Sequence, residues 1–180
     1  MRLIDRCKAV PIFIPPTSCS ETSCAEYSKF DNNYCILYAI LAHIHPVGRN
    51  SHPELPQKYS KFMLELNYEG LAFLLKITDV SKLEKMNSDI SINVLFYENR
   101  NPFPLYNSPH RNSKHHVNLL LIIDDKIGTS HYLLIRNLSR LVGDRTNHQH
   151  TTRVCPYCLY CFSKEDFLRS HIPECSIHYP

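Results

Sequence analysis

The sequence predicts an α+β protein, with helices ahead of an antiparallel sheet and a small cysteine and histidine unit at its C-terminal end. Three observations predict it. Residues 35–44 are apolar around a whole helical circumference, residues 90–97, 117–123 and 131–135 are rich in β-formers, and Cys155, Cys158, His171 and Cys175 recur at metal-ligand spacing. A chain of 180 residues that is 43% hydrophobic and 21% charged can bury a core without disulfide staples, and its composition excludes disordered, collagenous and low-complexity classes.

Residues 1–27 carry three prolines and the irregularly spaced Cys7, Cys19 and Cys24, and read as an irregular lead-in. The fully apolar run from Cys35 is the signature of a helix buried inside a domain, and His45-Pro46 ends it. Tyr59, Phe62, Met63 and Leu66 fall at helical spacing with Pro56 near the start, which predicts an amphipathic helix. Thr78 or Asp79 can cap a third, short helix through Met86. Ile90, Ile92, Val94 and Phe96 then alternate with Ser91, Asn93 and Leu95 as a strand. Residues 99–116 read as a polar loop, and 117–123 and 131–135 as the two arms of a hairpin. A polar linker, 139–152, separates the main domain, 28–138, from the C-terminal unit, 153–178.

The formal charge of +3 is too mild, and its lysines and arginines too scattered, for a dedicated nucleic-acid-binding surface. The charged start and the prolines after Val10 do not make a secretory leader, and no apolar run approaches the roughly 20 residues that cross a bilayer. The expectation is an intracellular protein of the nucleus or cytoplasm that does not span a membrane. In that setting the spacing of the eight cysteines points to metal and catalytic roles ahead of disulfides.

Cys155-Pro-Tyr-Cys158 followed by His171 and Cys175 gives C-x(2)-C-x(12)-H-x(3)-C, which gathers three thiolates and an imidazole around tetrahedral zinc. The first pair sits on a tight knuckle, and the second lies one turn apart on a helix beginning near Lys164. Phe162 and Leu168 supply the apolar positions of a miniature core. The pattern resembles the ββα zinc finger in its variant with a final cysteine. Lys164, Phe167 and Ser170 occupy the base-reading face of that family, and Glu165, Asp166 and Glu174 balance Arg153, Lys164 and Arg169. A structural or protein-contacting finger is therefore expected ahead of a DNA reader. Cys161, between the ligands, reads as a bystander, and His148 and His150 as linker residues.

Asp31-Asn32-Asn33-Tyr34-Cys35 puts a thiol at the first turn of the buried helix, where free backbone N–H groups and the helix dipole favour thiolate and can form an oxyanion hole. His131 opens the final strand and is the candidate base. The plain alternative is a buried, inert thiol.

These residues resemble a family. Cys35-x(3)-Ala39-Ile40 on a helix, the Ile90-x-Ile92-x-Val94 strand, a central hydrophobic strand and a final His131-Tyr132 strand look like an OTU-type, papain-like cysteine peptidase over residues 28–138. The resemblance implies Cys35 as nucleophile, His131 as general base and the turn at Asn32 and Asn33 as shaper of the oxyanion hole. Asn137 would orient the histidine, or Asp31 or Asn32 from the other side. The substrate would be a peptide or isopeptide bond in a protein or ubiquitin-like modifier.

The stretches 90–94, 116–122, 131–132 and 136–141, ending in the finger, also resemble proteins of Maverick/Polinton-type mobile elements. This implies a detached amino-terminal part of a family B, protein-primed DNA polymerase protein. It names that polymerase, or nucleic acid, as a partner. No polymerase motif occurs in these residues, so the non-enzymatic alternative is a silent scaffold whose finger docks the polymerase, another protein or nucleic acid.

Overall fold

The apolar run after Tyr34 folds as the helix it predicts, α1 (Cys35–Ile44), with seven of its ten residues buried. The computed structural model describes residues 34–72, 75–98, 101–110, 113–124, 129–143 and 153–177. The lead-in cysteines, Asp31, Asn32, Asn33, His148 and His150 lie outside them. After α1 come short 3-10 turns at Arg49–Ser51, Pro56–Lys58, Ser60–Glu65 and Ile77–Asp79, then α2 (Val80–Met86). The strands are β1 (Ile90–Glu98), β2 (Asn101–Tyr106), β3 (His115–Asp124) and β4 (Thr129–Leu134), followed by α3 (Leu138–Gly143). The C-terminal unit consists of β5 (Arg153–Val154), β6 (Cys161–Phe162) and α4 (Glu165–Ile177).

The amphipathic helix expected over residues 59–66 is instead a pair of 3-10 turns. Tyr59 is fully buried and its hydroxyl donates to the Pro53 carbonyl at 2.8 Å, which pins the segment at its start. Phe62 N–H donates to Tyr59 O and Leu66 N–H to Met63 O, so the chain advances by three residues per bond. The cost is visible at Leu64, left 95% exposed. Asp79 precedes α2 without capping it; its carboxylate accepts from Lys82 Nζ at 2.7 Å.

Four strands form one sheet in the order β2-β1-β3-β4. It is mixed, whereas the sequence predicts an antiparallel one: β1 and β3 are parallel, and the outer pairs antiparallel. The difference traces to β2, which lies inside the segment read as a polar loop. Pro102 and Pro104 weaken the strand signal, yet proline is tolerated on an edge strand, and β2 is one. Its extra reversal returns the chain to the start of β1, so β3 must run parallel to β1.

The sheet buries both faces. On the first, Ile92, Val94, Val117, Leu119, Tyr132 and Leu134 pack with α1. On the second, Leu95, Leu120, Leu133 and Ile135 pack with Leu141 of α3. The segment read as a linker thus begins with a helix that belongs to this second core. No helix among the described residues is long and apolar enough to cross a membrane.

Candidate metal centre and the sheet face that holds it

Cys155 and Cys158 sit on a tight turn between β5 and β6. Cys155 N–H donates to Tyr160 O at 2.9 Å, Leu159 N–H to Cys155 O at 3.0 Å, and Tyr157 N–H to the Cys155 thiol at 3.4 Å. α4 brings His171 and Cys175 to the same point, because residues four apart share a helix face. The ligand atoms of Cys155, Cys158, His171 and Cys175 all lie within 4.8 Å of one another. Cys155 Sγ and Cys175 Sγ are 3.8 Å apart, and Cys158 Sγ and His171 Nε2 are 3.3 Å apart. Burial and then the neighbouring thiols push Cys175 up to about 12, and burial raises Cys155 as well. A cation in their midst supplies the charge that makes thiolates favourable there, so this group can hold a metal ion.

The turn does not stand alone. Leu159 has φ 61°, the left-handed region that favours glycine and costs a branched side chain roughly 1–2 kcal/mol. Its partly buried side chain packs against the second core. Partial burial of a leucine is worth about 1–2 kcal/mol, comparable to the backbone strain that glycine would avoid. The polar half of the same sheet face grips the turn's carbonyls. Asn93 Nδ2 donates to Pro156 O at 2.9 Å and to Asn118 Oδ1 at 3.0 Å, while its own oxygen accepts from Ser108 N–H at 3.0 Å. Asn107 Nδ2 donates to Tyr157 O at 2.5 Å, and the His116 ring meets Tyr157 edge-on at 5.5 Å.

Asn93 was legible only as a polar residue alternating with apolar ones. It is in fact 4% exposed, a hub between strand, crossover loop and metal turn. The signal that could have found it is the coincidence of Ser91 and Asn93 with His116 and Asn118, polar residues of equal parity on two otherwise apolar strands. Comparison of the chain with models of protein families, with curated proteins and with solved structures finds no match. What the unit does is therefore read from its own surface.

On that surface few cations are uncommitted. Glu165 accepts from Arg153 at 2.6 Å and from Arg169 at 3.5 Å, and Lys164 Nζ lies over the Phe167 ring at 5.6 Å. Glu165 and Asp166 make the first turn of α4 acidic, and Phe167 and Ile177 are exposed. Cys161 is exposed on β6, outside the ligand cluster.

The other predicted residues lie across the sheet. Cys35 opens α1 on the first face, and its sulfur accepts from Tyr132 N–H at 3.5 Å. Successive side chains of a strand point to opposite faces. Tyr132 and Leu134 belong to the core around α1, whereas Leu133 and Ile135 belong to the second core. His131 shares the parity of Leu133 and pairs with Ile122, which also packs on the second core. His131 thus points toward the second core, while the Cys35 thiol meets the Tyr132 backbone beside α1. Asn137 is exposed in the turn before α3, where its carbonyl accepts from Leu141 N–H, while His131 is buried. Burial holds the Cys35 thiol above its ordinary value, with the Tyr132 N–H opposing it only in part. The helix start lowers a thiol pKa only where the sulfur keeps some solvation, and Cys35 is 8% exposed.

Cys35 is consequently expected to resist alkylation in the native protein below pH 8, at a rate unchanged by His131→Ala. Mass spectrometry of iodoacetamide-treated protein measures it. Rapid labelling at acidic pH that the substitution abolishes would restore the thiolate and imidazolium pair.

Proposed function

We propose that this chain is a non-catalytic binding domain, stabilised by zinc held in a ββα finger and docking a protein partner through the exposed face of α4. The observation that carries the reading is the knuckle's commitment to the sheet through Leu159, Asn93 and Asn107. A finger anchored in this way is a fixed part of the domain and presents one surface, that of α4. Zinc is the metal the donor set favours. Three thiolates and an imidazole suit it, and zinc–sulfur bonds of about 2.3 Å set a tetrahedral edge of about 3.8 Å, the Cys155 to Cys175 separation.

A protein partner fits the α4 face better than DNA does. Phosphate binding needs lysines and arginines that can release counterions. Arg153 and Arg169 are paired with Glu165, and the first turn of α4 is acidic. Phe167, more than half exposed, is an aromatic anchor of the kind that dominates protein interfaces. The likeness to mobile-element proteins makes a family B DNA polymerase the first partner to try. The burial that raises the Cys35 thiol, with the His131 parity toward the second core, supports this reading over the papain-like peptidase.

Titration of the zinc-loaded chain against that polymerase and against duplex DNA tests the proposal. Polymerase binding is expected to weaken at least about tenfold in Phe167→Asp, the loss typical of an anchor residue. Duplex DNA is expected to bind no tighter than about 10⁻⁴ M, the weak end of non-specific association. DNA affinity well above that level, falling steeply with salt, would reverse the assignment, and polymerase binding indifferent to Phe167 would remove α4 as the docking face.

A further inference from the structure

α4 turns one side to the metal ligands and another to solvent. Leu168, His171 and Cys175 share the first side, at the spacing of one helical stripe. At about 100° per residue, Asp166, Ile177, Ser170, Glu174 and Phe167 follow one another around a second arc of about 100°, separate from that stripe. All five are exposed, Phe167 by 55% and Ile177 by 78%. The basic residues of the unit stand outside this arc. Arg153 and Arg169 share Glu165, and Lys164 Nζ lies over the Phe167 ring at its border. Asp166 and Glu174 have no hydrogen-bond or ion-pair partner among the described residues.

We propose that this arc binds a basic amphipathic segment of a partner protein, with two cationic side chains meeting Asp166 and Glu174 and an apolar one seated against Phe167 or Ile177. The inference rests on the docking role assigned above to α4 and adds the chemistry of the partner. The helix sets the spacing. Eight residues of rise place the two carboxylates about 12 Å apart along the axis. A partner helix matches that distance with lysines or arginines eight residues apart, and an extended segment with four, which also keeps both on one face. The apolar side chains lie at the two ends of the arc, Phe167 beside Asp166 and Ile177 one turn beyond Glu174. Exposed ion pairs add modestly to affinity and act mainly on partner choice and association rate, so the aromatic anchor supplies the strength and the carboxylates the selection. The same two charges repel a phosphate backbone, which sets a basic protein segment apart from nucleic acid as the occupant.

Selection from a library of random peptides against the immobilised, metal-loaded chain tests this. Selected peptides are expected to carry paired lysines or arginines at one of those two spacings, beside a large apolar residue. Their affinity, read by fluorescence anisotropy, is expected to fall about tenfold when Asp166→Lys and Glu174→Lys are combined, as two exposed ion pairs become repulsions, and by less in the neutral combination of Asp166→Asn with Glu174→Gln. Phe167→Ala is expected to weaken binding about tenfold on its own. Affinity lost in Phe167→Ala but unchanged by both charge variants, or selected peptides without basic residues, would overturn the basic partner and leave α4 as a docking face. A selection that returns no peptide, or peptides indifferent to Phe167 as well, would remove both.

Discussion

Removing the metal, by chelation or by Cys175→Ser, is expected to lower the melting temperature of the whole chain by about 10 °C. The metal turn contributes directly to the sheet's stability. Leu159 plugs the second core, and Asn93 and Asn107 bond the carbonyls of Pro156 and Tyr157. Part of a leucine's burial and two hydrogen bonds come to about 3 kcal/mol, and each kcal/mol moves the midpoint of a domain this size by about 2–4 °C. Amide exchange locates the effect: protection should fall in β1 and β4, not in α4 alone. Because the cation displaces protons from three thiols and an imidazole, affinity for it should decline as pH falls. A melting curve unchanged by chelation, with exchange altered only in residues 153–177, would show that the unit folds independently of the sheet.

Asn93→Ala is expected to destabilise the metal-loaded protein by about 2–4 kcal/mol, since it leaves the Ser108 N–H and the Pro156 carbonyl without the partner they now have. Few polar-to-alanine changes cost so much, and this one does because the side chain is buried and serves three segments at once. Chemical denaturation with the metal bound measures the loss. A change under about 1 kcal/mol, in the range of an ordinary surface substitution, would mean that water replaces these bonds and that Leu159 alone holds the turn to the sheet.

The features readable in advance are those whose cause is local. The metal ligands declare themselves by spacing, because a tetrahedral site needs a knuckle and a helical turn, and both are short-range geometry. α1 is legible because its apolar residues surround the helix, and β3 and β4 because both arms of their hairpin are rich in β-formers. β2 was hidden by Pro102 and Pro104, which are compatible with a strand only because it became an edge. The segment at 59–66 shows helical spacing, but the burial of Tyr59 selected 3-10 geometry.

The sequence by itself determined where a metal can bind, that α1 must be buried, and that 117–123 and 131–135 pair antiparallel, since each depends on neighbours in the chain. Only the tertiary structure decided which residues meet. Strand parity sends the Tyr132 side chain to the core around α1 and His131 toward the second core, a difference that neighbours one apart in the sequence do not reveal. The same parity gathers Asn93, Asn118 and His116, distant in sequence, beneath the metal turn. Period-two alternation assigns faces only once the strand order is known, and that order rests on contacts between residues far apart in the chain.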